Sequence, residues 1–164
     1  MRYVAFLRAI NVGGHVVKMD RLRELFEELG LASVETFIAS GNVIFESRAS
    51  AATLEPKIAK HLRDALGYEV ATFLRTIPEL IPIAARPGDF WVGFLGGPPT
   101  SDKVLALHTP DDELSIDGRE LYWKCRLVRY SDSKLTNGKL EKALGRPMTM
   151  RNVTTVRKLA AKYS

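Results

Sequence analysis

The chain has 164 residues, 46% of them hydrophobic and 26% charged, with a formal net charge of +5. That composition suits one folded domain, or two small subdomains sharing a core, and excludes a disordered chain. No apolar run approaches the ~20 residues needed to span a bilayer, so no membrane partner is expected. Arg8 and Asn11 interrupt the N-terminal apolar stretch too early for a signal peptide. The lone cysteine, Cys125, excludes an internal disulfide and fits a reducing cytoplasm.

The charge is uneven. Residues 1–118 carry 12 Lys/Arg against 16 Asp/Glu, a balance of −4, whereas residues 119–164 carry 12 against 3, a balance of +9. A basic block of this kind is either a binding surface for nucleic acid or an acidic ligand, or a solvated helix face.

Tyr3 to Ala9 is nearly continuous in apolar residues, as in a strand covered on both faces. Met19, Leu22, Leu25, Phe26 and Leu29 recur at helical spacing, with Asp20 as a natural N-cap and Gly30 at the C-terminal end. "VETFIAS" and "NVIFES" are β-branched and aromatic, joined by Ser40-Gly41. Leu54, Ile58, Leu62, Ala65 and Leu66 form a second helical stripe, with Pro56 expected in its first turn and Gly67 after its end. "EVATFLR" is a fourth strand, and "IPELIPIAAR" a short helix and linker.

The order then restarts. "FWVGFLG" is a strand, and Ser101 or Asp102 is placed to cap a helix over "KVLALH". "ELSIDGRELYWKCRLV" is a hairpin turning at Asp117-Gly118. "SKLTNGKLEKALG" is a helix ending at Gly145, Met148 to Met150 a short strand, and "VTTVRKLAAKY" a final helix burying Val156, Leu159, Ala160 and Tyr163. The pattern predicts an α+β fold of two ferredoxin-like βαββαβ subdomains, residues 1–76 and 77–164, the second with an extra C-terminal helix. A single larger mixed sheet is the alternative. Packing the two helix-free sheet faces together would bury them and leave a cleft, the usual place for a ligand.

Few residues carry recognisable chemistry. His15, His61 and His108 lack a second ligand at metal spacing, and Asp111 to Glu113 reads as a solvated acidic turn, so no metal is expected. Cys125, between Lys124 and Arg126, reads as a half-buried structural thiol because strand neighbours point to opposite faces. Ser40 has no nucleophile-elbow context. The loop "RAINVGGHVVK" follows a strand and precedes a helix, with Arg8 and Lys18 flanking Asn11, Gly13 and Gly14. Its backbone N–H groups and the helix N-terminus suit an anion, yet it matches neither "GxGxxG" nor "GxxxxGK[ST]". It either turns the chain or holds an anion, and a capping Asp20 would compete for the anion position. In "TMRNVTTVRK", Asn152 or Thr154 suits an N-cap, while the forked donors of Arg151 suit a carboxylate or phosphate.

"LRAINVGGHVVKMDRLRELFEELG", "VETFIASGNVIFES" and "SKLTNGKLEKALG…TMRNVTTVRKL" together resemble the family catalogued as domain of unknown function 1697. The resemblance implies a two-part α+β protein and brings no established activity, cofactor or catalytic residue. It maps a polar set onto Arg8, Asn11, Gly13, Gly14, Lys18, Ser40, Gly41, Asn42, Arg151 and Asn152, and departs at Val153, where the family has an aromatic after "R-N". Polar and glycine positions in loops build a core poorly, so the resemblance favours a site.

Two functions follow. The first is a cleft for a small anionic or nucleotide-like ligand, lined by Arg8, Asn11, Gly13, Gly14, Lys18, Ser40, Asn42, Arg151 and Asn152. It requires the three polar segments to meet. The second is an RNA-binding module using the basic block and strand aromatics, against which "ELYWKCRLV" lacks the ribonucleoprotein motif.

Overall fold

A computed structural model describes residues 1–8, 16–37, 41–126 and 133–164. In chain order the first half comprises β1 (Arg2–Leu7), α1 (Met19–Glu27), β2 (Ala32–Thr36), β3 (Asn42–Glu46), α2 (Ala51–Leu66), β4 (Thr72–Thr76) and α3 (Ile77–Ala84). The second comprises β5 (Trp91–Leu95), a 3-10 helix (Lys103–Leu107), β6 (Asp112–Asp117), β7 (Glu120–Cys125), α4 (Asn137–Leu144), β8 (Met148–Asn152) and α5 (Val153–Tyr163). Two separate four-stranded antiparallel sheets form, ordered β2-β3-β1-β4 and β6-β7-β5-β8, rather than one mixed sheet. The fold is α+β with two similar βαββαβ-like halves, in which the C-terminal helix α5 is matched by α3.

Strand alternation explains the continuous apolar runs. In β1, Tyr3, Ala5 and Leu7 face outward to Leu22, Leu25 and Phe26 of α1 and Leu54, Ile58 and Leu62 of α2. Val4 and Phe6 face inward, joining Val92 and Phe94 of β5, Tyr122 of β7, and the apolar stripes of α3 and α5. Leu95, Leu121, Trp123 and Met148 pack outward against Val104, Leu140 and Leu144. Both faces of the central strands β1 and β5 are thus covered, and the Phe6 and Phe94 rings stack at the centre, 4.2 Å apart and 7° from parallel.

Several local expectations shift. Asp20 lies in the first turn of α1, 85% exposed at its side chain, and Lys18 occupies the N-cap position without a side-chain capping bond, so Asp20 is not the N-cap. Pro56 is the sixth residue of α2 rather than a first-turn residue, since Ser50 caps the helix further upstream through Thr53 N. "KVLALH" forms only a 3-10 turn; Ser101 Oγ accepts from Lys103 N at 3.2 Å and Asp102 supplies no side-chain cap. Asp117 pairs with Glu120, so the hairpin turns through Gly118-Arg119, with Gly118 at φ +60°.

Asp112 is not a solvated turn residue. It is 3% exposed, accepting from Trp123 Nε1 at 2.8 Å, Thr109 Oγ1 at 2.8 Å and Ser133 Oγ at 2.9 Å. Burial pushes its pKa up, but these hydrogen bonds and one from the Cys125 thiol outweigh that and hold it below the usual value. Asp112 therefore contributes stability that is present above its unfolded pKa and is lost as pH falls through its folded value. Asp112→Asn should weaken the acid side of the stability-pH profile in urea denaturation between pH 7 and 3. An unchanged profile would contradict this role. Separately, Phe94→Ala should lower unfolding free energy by about 3–5 kcal/mol, measured the same way, because it removes a ring buried in the central cluster.

Candidate functional site

Two of the three polar segments, the Ser-Gly-Asn turn through Gly41 and Asn42 and the Thr-Met-Arg-Asn segment, meet at one guanidinium beside the end of β1, while the Asn-Val-Gly-Gly loop lies outside the described residues. Arg151, near the end of β8 in the second half, crosses to the first sheet and donates from Nη2 to Leu7 O and Gly41 O, each at 2.9 Å. Its Nε donates to Asn42 Oδ1 at 2.9 Å, and Nη1 to Thr149 Oγ1 at 2.7 Å and Met150 O at 2.8 Å. All five donors are therefore occupied by the protein. Burial pulls the Arg151 pKa down to about 10, so the group keeps its charge at neutral pH. Its plane lies over Phe6, 5.5 Å from the ring centroid.

Arg151 is thus a clamp on the ends of β1 and β3 rather than an open anion receptor. Asn42, 3% exposed, is held between Arg151 and Phe37 O, to which its Nδ2 donates at 3.0 Å. Asn152 caps α5, its Oδ1 accepting from Thr154 N at 2.8 Å. Val153 is fully buried in the central cluster. Arg8 follows β1 directly and donates from Nη1 to Glu141 Oε2 at 2.6 Å, its side chain 39% exposed. Lys18 is exposed ahead of α1. Asn11, Gly13, Gly14 and Ser40 lie outside the described residues.

A second clamp, which the sequence reading missed, mirrors the first. Arg75 of β4 is fully buried and crosses in the opposite direction, donating from Nη2 to Leu95 O at 2.7 Å and Arg119 O at 3.1 Å. It pairs more loosely with Glu120 Oε2 at 3.5 Å and lies 5.3 Å from the Phe94 ring centroid. Position by position, Arg75 answers Arg151, Leu95 answers Leu7, Arg119 answers Gly41, and Glu120 answers Asn42. The registers agree, with Val4 opposite Arg75 and Val92 opposite Arg151. Burial, with Arg119 alongside, lowers the Arg75 pKa, and Glu120, Glu79 and Glu55 pull against that. The sequence signal was present, since "VAFL" and "VGFL" share Val-x-Phe-Leu, and each arginine immediately precedes a helix-capping residue, Thr76 or Asn152.

Two observations bear on function class. The aromatics of the second half are largely covered: Phe90, Phe94, Tyr122 and Trp123 are at most 7% exposed, Phe90 and Tyr122 border an open pocket with Arg86 and Lys124, and Trp91 is half-buried. Part of the basic block is structural as well, because Arg157 donates to Ala84 O, Arg86 O and Gly88 O. Among the described residues no group of His, Cys, Asp and Glu could hold a metal ion, and no helix is long and apolar enough to cross a membrane.

The fold and its arginine clamps define a two-part α+β protein whose halves each supply a guanidinium to the other. The family model described as a protein of unknown function, DUF1697, matches residues 1–122, and the chain belongs to that family. It is similar in structure to the conserved bacterial protein SP0830 from Streptococcus pneumoniae, at 26% identity and a TM-score of 0.76, over 98% of this chain and 97% of that one. No match is found among curated proteins.

Arg151→Lys should lower unfolding free energy by about 3 kcal/mol, since an ammonium cannot serve five acceptors held in a plane. Chemical denaturation checks this, and a lysine variant as stable as the parent would contradict the clamp.

Proposed function

We propose that the protein binds a small anionic, nucleotide-like ligand at the end of the first sheet, beside the strand ends that Arg151 gathers. The observation that carries this reading is the Arg151 clamp itself. By holding Leu7 against Gly41 it puts the departure points of the Asn-Val-Gly-Gly and Ser-Gly-Asn loops side by side, with Arg8 next in the chain. In this reading the roles divide. Arg8 and Lys18 supply charge, the backbone of Asn11, Gly13, Gly14 and Ser40 supplies donors, and Asn42, Arg151 and Asn152 hold the frame.

Electrostatics favour an anion there. Arg8 and Arg151 outnumber Glu141, and the buried guanidinium adds positive potential without being consumed by the ligand. Glu141 is a competitor, so the ligand shares Arg8 with a carboxylate rather than finding it bare. The low exposure of most strand aromatics supports this reading over RNA binding, which relies on a stacking platform. A cytoplasmic setting accords with a lone, partly buried Cys125. The reading is one of binding, with no reaction assigned.

Thermal denaturation with adenosine monophosphate and with inorganic pyrophosphate tests it. A ligand at a hundredfold excess over its dissociation constant adds about 2.7 kcal/mol to apparent stability, so a clear rise in Tm is expected for the parent protein. Arg8→Ala and Lys18→Ala should each shrink that rise while remaining folded. The same rise in all three proteins would place the anion elsewhere, and no rise with any anion would overturn the reading.

A further inference from the structure

The correspondence between halves extends beyond the clamps, and one break in it has a chemical consequence. Glu141 is the fifth residue of α4, a helix capped by Thr136, and Glu55 is the fifth residue of α2, a helix capped by Ser50. Glu141 reaches across to Arg8, the residue after β1. Glu55 reaches across to the residue after β5, which is Gly96; a Cβ built there would lie 3.8 Å from Glu55 Oε1. The two carboxylates therefore address equivalent positions, one holding a guanidinium and the other no side chain.

Gly96 borders an open, shallow surface depression lined also by Ala52, Glu55, Pro56, Ala59 and Thr72. Among the described residues no hydrogen bond or ion pair ties down the Glu55 carboxylate. Pro56 adds a second acceptor, for it has no N–H to give Ala52 O its helical partner. The nearby cations are already engaged: Arg75 with Leu95 O, Arg119 O and Glu120, and Arg119 with Glu79 at 2.7 Å. Glu55, Glu79 and Glu120 outnumber Arg75 and Arg119, leaving one net negative charge. Burial raises the Glu55 pKa, Arg75 and Arg119 oppose that, and Glu79 adds to it, so a cation at Glu55 would relieve an unfavourable charge. Arg146 lies against Gly97, the next residue.

We propose that this depression is a second binding site, for a small ligand bearing a guanidinium group, which Glu55 holds as Glu141 holds Arg8. Guanidinium is the favoured cation because its parallel donors match a carboxylate edge and the Ala52 carbonyl adds a further acceptor. This site lies at the other clamp from the proposed anion site and does not depend on it.

The test is a titration of the parent protein with n-butylguanidinium, followed by backbone amide NMR, with n-butylammonium as a control of equal charge. Saturable shifts at Gly96, Gly97 and the first two turns of α2 are expected, with n-butylammonium binding more weakly. Glu55→Gln should weaken binding by about tenfold or more, as expected when a charge-assisted bidentate pair is lost. Gly96→Arg supplies the guanidinium from within; the backbone there is not left-handed and the neighbouring atom stands at ordinary contact distance, so the variant should fold. It should abolish binding and raise Tm. Arg8→Ala should leave guanidinium binding unchanged, separating this site from the anion site. Absence of saturable shifts, unchanged binding in Glu55→Gln or in Gly96→Arg, or equal affinity for n-butylammonium would overturn the assignment.

Discussion

The stacked Phe6 and Phe94 rings, each covered on its outer side by an arginine from the opposite half, are the interaction on which the structure depends. Two four-stranded sheets that meet face to face must bury the carbonyl groups where their central strands end. Leu7 O and Gly41 O in one sheet, and Leu95 O and Arg119 O in the other, are those groups. A planar, permanently charged fork can serve two adjacent carbonyls while its charge faces an aromatic ring. Arginine at positions 75 and 151 therefore joins the halves and satisfies their backbone in one contact.

Reciprocal clamps leave two similar ends with different surroundings. At one end, Asn42 completes the hydrogen bonding of Arg151, and Arg8 meets Glu141. At the other, Glu120 stands where Asn42 would be, Arg119 where Gly41 would be, and Gly96 where Arg8 would be. There the buried Arg75 Nε lacks an acceptor, whereas Arg151 Nε has Asn42. The charges described at the first end are Arg8, Arg151 and Glu141, and those around Glu55 at the second are Arg75, Arg119, Glu79 and Glu120. The two ends thus share a frame and differ in the charged residues beside the clamps.

Much of the fold was legible in the sequence because it rests on local patterns. The alternation in β1, the helical stripes of α1, α2 and α5, and Gly145 in the left-handed region at φ +76° all follow from side-chain size and backbone freedom. Long-range polar partners were not legible. Arg151 stood out by residue type, but four of its ties run to backbone carbonyls and to Asn42, which leave no trace in residue identity at that distance. Arg75 was hidden in an apolar strand, its Nη2 acceptors 20 and 44 residues away. Asp112 looked solvated because Trp123, Thr109 and Ser133, which bury and bond it, come from separate segments. The matching Val-x-Phe-Leu runs were the one clue from which the second clamp follows.

If the two guanidinium groups and the ring pair form one interlocked unit, their contributions cannot be independent. A double-mutant cycle on Arg75→Met, Arg151→Met and the combined variant, followed by urea denaturation of each, measures this directly. A coupling free energy of about 1 kcal/mol or more is predicted, the second substitution costing less once the first has loosened the shared stack. Additivity within about 0.5 kcal/mol would show two separate clamps and contradict the interlocked core.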